Sequence, residues 1–246
     1  MNHLCIDIGN TKVKIAIFEP NGQKVLHTAH ESWYNIAALN LLINTWQIEH
    51  AIISTVRKND AKWESDLQGL IKGKCIFLNE NTPIPIENLY ATPHSLGKDR
   101  LAAVVGAWSL FPNKKVLAID AGTCIKYDYI NEKGQYLGGS ISPGLKMRYE
   151  ALAHFTAKLP LLSVEPLASK ITGIDTPSSM HTGVGYGLYY EVKGYIEHYK
   201  AEKGEDLWVV FSGGDLSFFE NMLNNCIFAE PNLLLIGLHQ ILQYNV

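Results

Sequence analysis

The sequence has no surplus of basic residues, no long apolar run and no paired cysteines, and each absence removes a class of function. Lysine and arginine number 21 against 24 acidic residues, for a formal net charge of −3. A near-neutral chain with scattered charges lacks the basic stripe that holds nucleic acid, so nucleic acid is not expected as a main partner. No apolar run approaches the roughly 18 residues a membrane helix needs. Met1, Asn2, His3 and Leu4 lead straight into a strand-like segment, without the charged start and apolar stretch of a signal peptide. A cytoplasmic location with no membrane partner is therefore expected. The four cysteines, Cys5, Cys75, Cys124 and Cys226, form no C-x-x-C pair, and no His cluster stands at zinc spacing. They read as reduced, mostly buried thiols.

What is present is an ordinary globular composition, with 246 residues, 47% hydrophobic and 18% charged. That length suits one large domain or two modest ones, and either buries well over half of its unfolded surface. Self-comparison favours two. Leu4-Cys5-Ile6-Asp7-Ile8-Gly9-Asn10-Thr11 is echoed by Leu117-Ala118-Ile119-Asp120-Ala121-Gly122-Thr123, both carrying Leu-x-Ile-Asp-x-Gly. Asn21-Gly22-Gln23 then answers Lys133-Gly134-Gln135 after one residue has been lost from the register, as a hairpin loop allows. Two copies are too few and too far apart for a solenoid. They mark two related lobes, 1–113 and 114–246, each opening with the same β-element.

The first copy reads as a three-stranded meander: an apolar strand at Leu4 to Ile8, a second from Val13 to Phe18, and a turn at Pro20-Asn21-Gly22. Helical spacing follows over Ile36 to Trp46, a strand over His50 to Thr55, a helix over Asp60 to Ile71 and a short strand over Cys75 to Leu78. Residues 79–93 hold Pro83, Pro85 and Pro93 and are expected as an ordered loop. A helix over Ser95 to Phe111 ends before Pro112. The second meander occupies about 115–142, followed by helices over Met147 to Phe155 and Gly183 to Lys203. A strand over Leu207 to Phe211, a helix from Phe218, a short strand near Ile227 and a helix over Leu233 to Leu242 close the chain. Tyr186, Tyr190, Tyr195 and Tyr199 form a stripe on the long helix that reads as packing. Alternating strands and helices make each lobe α/β with a mixed sheet.

The chemistry sits in the turns. An Asp at the end of a buried strand, followed by Gly and then Asn-Thr, gathers a carboxylate and several backbone N–H groups at one place. Polyphosphate with a divalent metal suits such a turn, because the N–H groups form an anion-binding concavity and Gly9 lets the main chain approach the ligand. Asp7 would hold magnesium through water, since that cation keeps much of its shell. Lys14 would neutralise phosphate from the next strand. A bland hairpin with a capping Asp is the alternative for one such turn alone. A third glycine turn, Ser212-Gly213-Gly214-Asp215, offers exposed backbone to a flat base or is a plain strand-to-helix loop. Gly138-Gly139 and Pro143-Gly144 read either as tight turns or as a ligand wall.

The twin D-x-G turns resemble the phosphate motifs of the sugar kinase, Hsp70 and actin superfamily. Within it, Asp7-Ile8-Gly9-Asn10-Thr11-x-x-Lys14, Gly97-Lys98-Asp99-Arg100, Asp120-Ala121-Gly122-Thr123 and Gly139-x-Ile141-x-Pro143-Gly144 resemble type III pantothenate kinase in order and spacing, over nearly the whole chain. The resemblance implies two actin-like (ribonuclease H-like) lobes with a nucleotide cleft between them, and ATP-dependent phosphorylation of pantothenate to 4′-phosphopantothenate, the first step of coenzyme A synthesis. It implies ATP contacts along Asp7, Ile8, Gly9, Asn10, Thr11, Lys12, Val13 and Lys14 and at Thr123, and a monovalent cation, potassium or ammonium, on Asp120. A second magnesium-associated carboxylate is the alternative for Asp120.

Asp99 falls near a helix start, where a carboxylate is favoured, and matches the family's proton acceptor. Phosphoryl transfer tolerates a weak base there, because positioning and charge stabilisation dominate. Tyr90, Gly97, Lys98, Arg100 and Thr176 match substrate positions. Arg100 offers a planar fork for pantothenate's carboxylate or for the phosphoryl group, and the sequence leaves both open. Tyr90 reads equally as an anchor of its loop, and Thr176 as an N-cap or turn residue. Cys124 departs from the family's usual small Ala. The resemblance also implies a homodimer. A non-catalytic nucleotide-binding regulator and a kinase of another small alcohol are the alternatives, while the chain is too short for a chaperone-type peptide domain.

Overall fold

The expected meander forms at the start of the chain, whose computed structural model describes residues 1–10, 12–30, 35–57, 60–219 and 227–246. β1 (Asn2–Ile8) pairs antiparallel with β2 (Val13–Phe18), which pairs antiparallel with β3 (Lys24–His30). Helix α1 (Ile36–Thr45) opens on Asn35, whose side chain accepts from the Ala38 N–H at 2.7 Å, a cap worth about 1 kcal/mol. β4 (Ile48–Thr55) then lies parallel beside β1. Asp60 caps α2 (Ala61–Leu70) through the Trp63 N–H at 3.1 Å, and β5 (Cys75–Phe77) lies parallel beside β4. The sheet order is β3-β2-β1-β4-β5. Leu4, Ile6, Ile15, Ile17 and Ile53 are buried with Leu39 of α1 and Leu67 of α2. The near-continuous apolar run of β1 suits a strand covered on both faces.

The proline-rich stretch contains one two-residue strand, β6 (Glu87–Asn88), and a 3-10 turn over Pro93–Ser95. α3 (Lys98–Leu110) follows. It ends before Pro112, which cannot continue a helix.

The second unit repeats the plan. β7 (Val116–Ala121) pairs antiparallel with β8 (Cys124–Ile130), and β9 (Gln135–Pro143) completes the meander. α4 (Leu145–Phe155) and α5 (Thr176–Lys203) precede β10 (Trp208–Ser212), which lies parallel beside β7. A one-turn helix, α6 (Leu216–Phe219), leads through undescribed residues 220–226 to β11 (Ile227–Ala229), parallel to β10. The six-stranded order β6-β9-β8-β7-β10-β11 repeats the five-strand order of the first sheet and adds β6 at one edge, parallel to β9. The core here is built from Leu117, Ile119, Tyr127, Leu188, Val209 and Phe211. Tyr195 stacks on Tyr127 at 4.0 Å and Tyr199 tilts against Tyr129 at 5.7 Å, so this part of the tyrosine stripe is packing.

Three features differ from expectation. α5 starts at Thr176, well before Gly183. Asp175 and Ser178 form a capping box and Pro177 sits in the first turn, where its missing N–H costs nothing. Cys75 and Cys124 are only half-buried, whereas Cys5 is buried; Cys226 lies outside the described residues. Finally, α7 (Leu233–Asn245) was expected with the second lobe. The compact units are instead Met1–Pro112 with Gly134–Tyr136 and Asn232–Val246, and Asn113–Lys133 with Leu137–Pro231. The reason is a glycine contact: a Cβ on Gly237 of α7 would overlap the Ala102 carbonyl of α3, and one on Gly106 would overlap the Leu233 carbonyl. Only without those atoms do the two helices approach so closely.

Candidate active site

In the first unit the strand ends bring Asp7 to the start of the turn. It is buried, with Lys14 of β2 and Ser54 of β4 as its register partners on either side. The Gly9 N–H donates to the Lys12 carbonyl at 3.0 Å and closes a tight turn. Ile8 and Val13 are 1% exposed, so their side chains belong to the core and they offer a ligand main chain only. Asn10 and Lys12 are exposed and Lys14 is half-buried; Thr11 lies outside the described residues. Arg57, just past β4, was not foreseen. Its Nε donates to the Gly9 carbonyl at 2.8 Å and its Nη2 to the Asn10 carbonyl at 3.1 Å. The available signal was a basic residue directly after the strand that pairs with β1.

The start of α3 gathers most of the expected substrate residues. Gly97 is the N-cap, and a Cβ there would come within 2.5 Å of Asp99 Oδ1. Asp99 is half-buried in the first turn, and its Oδ1 accepts from the Arg100 N–H at 2.9 Å. Arg100 is buried, its guanidinium 5.5 Å from the centre of the Tyr90 ring. Tyr90 in turn stacks on buried Tyr136 at 6.1 Å. Lys98 points elsewhere, its Nζ 3.7 Å from Glu80 Oε2. The Glu80 carboxyl is held low by its own backbone hydrogen bond and then by Lys98.

In the second unit three glycine-bearing segments meet. Asp120, one residue before the end of β7, has Lys126 of β8 and Ser212 of β10 as register partners, so the Asp–Lys–Ser arrangement around Asp7 recurs. Lys126 Nζ lies 2.8 Å from Asp120 Oδ2. The exposed Thr123 turn accepts the Gly144 N–H at 3.1 Å, and a Cβ on Gly144 would meet the Thr123 carbonyl oxygen at 2.5 Å. Gly213, at φ +104°, lies so close to Ala121 that a Cβ would overlap its carbonyl. The Asp215 N–H donates to that same carbonyl at 3.0 Å. Burial raises the Asp215 carboxyl; the Leu145 N–H at the start of α4 opposes this and the Asp120 charge adds to it.

Thr176 belongs to this second unit. It is exposed on a groove of about 1070 Å³ lined by Arg148, Leu152, Phe155, Met180 and Val184. Arg148 is tied down, donating to the Pro143 carbonyl at 2.9 Å, to Ser142 at 3.0 Å and to Glu191.

The donor sets differ in what they suit. Among the described residues no group of three or more His, Cys, Asp or Glu side chains is placed to hold a metal. A single carboxylate such as Asp7 fits magnesium, which keeps waters and draws further oxygens from phosphates. Asp120 does not fit a free monovalent cation in the same way, because its Oδ2 already carries an ammonium at the distance of a charge-assisted hydrogen bond.

The sequence profile of type III pantothenate kinase matches residues 3–198. A type III pantothenate kinase from Christiangramia forsetii is 43% identical over 247 residues, covering 99% of this chain and 98% of its own. One from Bacteroides fragilis is 41% identical over 243 residues, with the same coverage. Among solved structures, a conserved protein from Campylobacter jejuni described as a Baf family transcriptional activator superposes with a TM-score of 0.62 at 20% identity, covering 98% of both chains. Glucokinase from an Antarctic psychrotroph superposes at 0.54 and 11% identity, covering 100% of this chain and 99% of its own. At such identities the structures speak to fold alone, which is that of the actin-like sugar kinases.

Proposed function

We propose how this chain, which belongs to the type III pantothenate kinase family, carries out the family's ATP-dependent phosphorylation of pantothenate in coenzyme A biosynthesis. The main chain of the Gly9–Lys12 turn is suited to a phosphate of ATP, and Arg57 holds that turn in shape; within the second unit the Thr123 turn is suited to phosphate in the same way. Lys14 neutralises phosphate charge. Asp7 would hold magnesium through water, and the ion would offset phosphate charge there. Asp99 orients the primary hydroxyl of pantothenate and takes its proton as the oxygen attacks the γ-phosphorus and the bond to the ADP oxygen breaks. Arg100, packed on Tyr90, fixes the floor beside it, and Gly97 leaves room for the Asp99 carboxylate. Thr176, on the second unit's own groove, is kept as the substrate contact that the family resemblance implies.

The observation that carries the reading is Asp99 held at 2.9 Å by the N–H of its chain neighbour Arg100, a buried residue whose guanidinium lies 5.5 Å from the half-buried Tyr90 ring. The test is ADP release with ATP, magnesium and pantothenate. General-base contributions of about 10²–10⁴-fold set the expected loss for Asp99→Asn, with ATP still bound. A variant retaining a tenth of the rate removes Asp99 from this role. Absence of turnover in the parent protein, with ATP still bound, favours the regulator or another alcohol.

The chain acts in the cytoplasm as a homodimer formed through the second unit, a reading supported by Phe155 and Ile174, which stand 81% and 95% exposed there. Sedimentation at working concentration tests it, and a fully active monomer overturns it. Among the described residues no helix is long and apolar enough to cross a membrane.

A further inference from the structure

The second hairpin carries a cation of its own. Lys126 faces Asp120 across the β7–β8 pair, and the two side chains, 19% and 22% exposed, meet at 2.8 Å. Strand register, not a mobile loop, fixes this contact, since directly opposed residues on one face hold their Cβ atoms close together. The neighbourhood is rich in negative charge. Asp215 lies close enough for the Asp120 charge to raise its carboxyl, and its N–H bonds the Ala121 carbonyl next to Asp120.

We propose that Lys126 is a built-in monovalent cation: its ammonium supplies, beside the Thr123 phosphate turn, the positive charge that the family resemblance assigns to a bound potassium or ammonium ion. This rests on the reading of that hairpin as an ATP-side turn. An ε-ammonium is a compact point charge with three donors, the same charge and donor chemistry as free ammonium. One donor serves Asp120. A second cation on the same carboxylate would be repelled by the first. The tethered group also needs no recruitment from solution. Lys126 is thus a positioning residue, and the catalytic reaction of this chain requires no added monovalent cation.

The experiment compares pantothenate-dependent ADP release in choline, sodium, potassium and ammonium chlorides at one ionic strength, because surface electrostatics change with salt. The parent protein is expected to run within about two-fold across all four, well under one decade of coupling. Lys126→Ser is expected to fall by about ten-fold or more in choline and to be restored, saturably, by potassium or ammonium, with the KM for ATP following the same salt dependence. Saturable activation of the parent protein by potassium of about ten-fold overturns the proposal, as does a Lys126→Ser variant that keeps the parent rate in choline. If the serine variant does not fold, the parent salt series decides. If the parent shows no pantothenate-dependent turnover in any salt, the assigned substrate fails separately. The ATP-induced rise in melting temperature then tests the cation: equal shifts in choline and potassium support it, and a shift in potassium alone refutes it.

Discussion

Replacing Arg57 by alanine removes two hydrogen bonds that hold the first phosphate turn, from Nε to the Gly9 carbonyl at 2.8 Å and from Nη2 to the Asn10 carbonyl at 3.1 Å. A charged donor to a neutral carbonyl contributes about 1.5 kcal/mol or more when shielded. Arg57 is only half-buried, so water replaces part of each bond and the pair together is worth about 1–2 kcal/mol. That energy restrains the two residues whose backbone is proposed to meet the nucleotide, and its loss corresponds to about 5–30-fold. Steady-state kinetics with each substrate varied in turn should show kcat/KM for ATP falling by that factor while KM for pantothenate stays put. Arg57→Lys should recover only part, because one ammonium lacks the fork that spans two adjacent carbonyls. An ATP kcat/KM within about two-fold of the parent, below the range for such bonds, refutes the clamp. A pantothenate KM that moves as much as the ATP value refutes its assignment to the nucleotide side.

Gly237→Ala should lower thermal stability, since its Cβ overlaps the Ala102 carbonyl and forces α3 and α7 apart. Overpacking costs about 1–3 kcal/mol, and about 2–4 °C per kcal/mol for a chain of this size makes the drop readable by calorimetry; an unchanged Tm contradicts the contact. Acid should act through His239, which burial, with the neighbouring His3, holds at about 4. The folded imidazole stays neutral where the unfolded one takes a proton, so its stability contribution is intact above pH 6.5 and is lost as pH falls toward 4. The loss is about 3 kcal/mol at most. Urea unfolding should therefore show the parent losing more stability than His239→Gln between pH 6.5 and 4.5, and parallel losses reject the linkage.

The two sheets were legible because their signals are local. Leu-x-Ile-Asp-x-Gly marks both first strands, and the turn residues after each set the hairpins. The site turns were legible for the same reason, since a glycine beside a strand-end carboxylate is visible in four or five letters. The expected loop over 79–93 held the two-residue strand β6 and ran into the 3-10 turn at Pro93; the pairing of β6 to Gln135 and Tyr136 is a nonlocal event. Nothing near Leu233 announces that α7 packs on α3; the information lies in Gly106 and Gly237, far apart in sequence and meaningful only as a pair. Arg57 was missed likewise. Its role depends on β4 lying beside β1, which places the end of one strand next to the turn of another.

Lys126 shows how a motif hides what register reveals. In the first hairpin four residues, Gly9 to Lys12, separate the paired Ile8 and Val13, and Lys14 then falls opposite Asp7. In the second, three residues, Gly122 to Cys124, separate the paired Ala121 and Ile125, and Lys126 falls opposite Asp120. The string Asp-x-Gly-Asn-Thr-x-x-Lys has become Asp-x-Gly-Thr-x-x-Lys by losing one turn residue. Side chains alternate along a strand, so such a loss within a strand would have turned the lysine to the other face. Taken from the turn, it leaves the face unchanged. The chain has therefore kept a lysine against the carboxylate in both copies through a change in loop length, and in the second copy that lysine makes the 2.8 Å contact a free cation would otherwise seek.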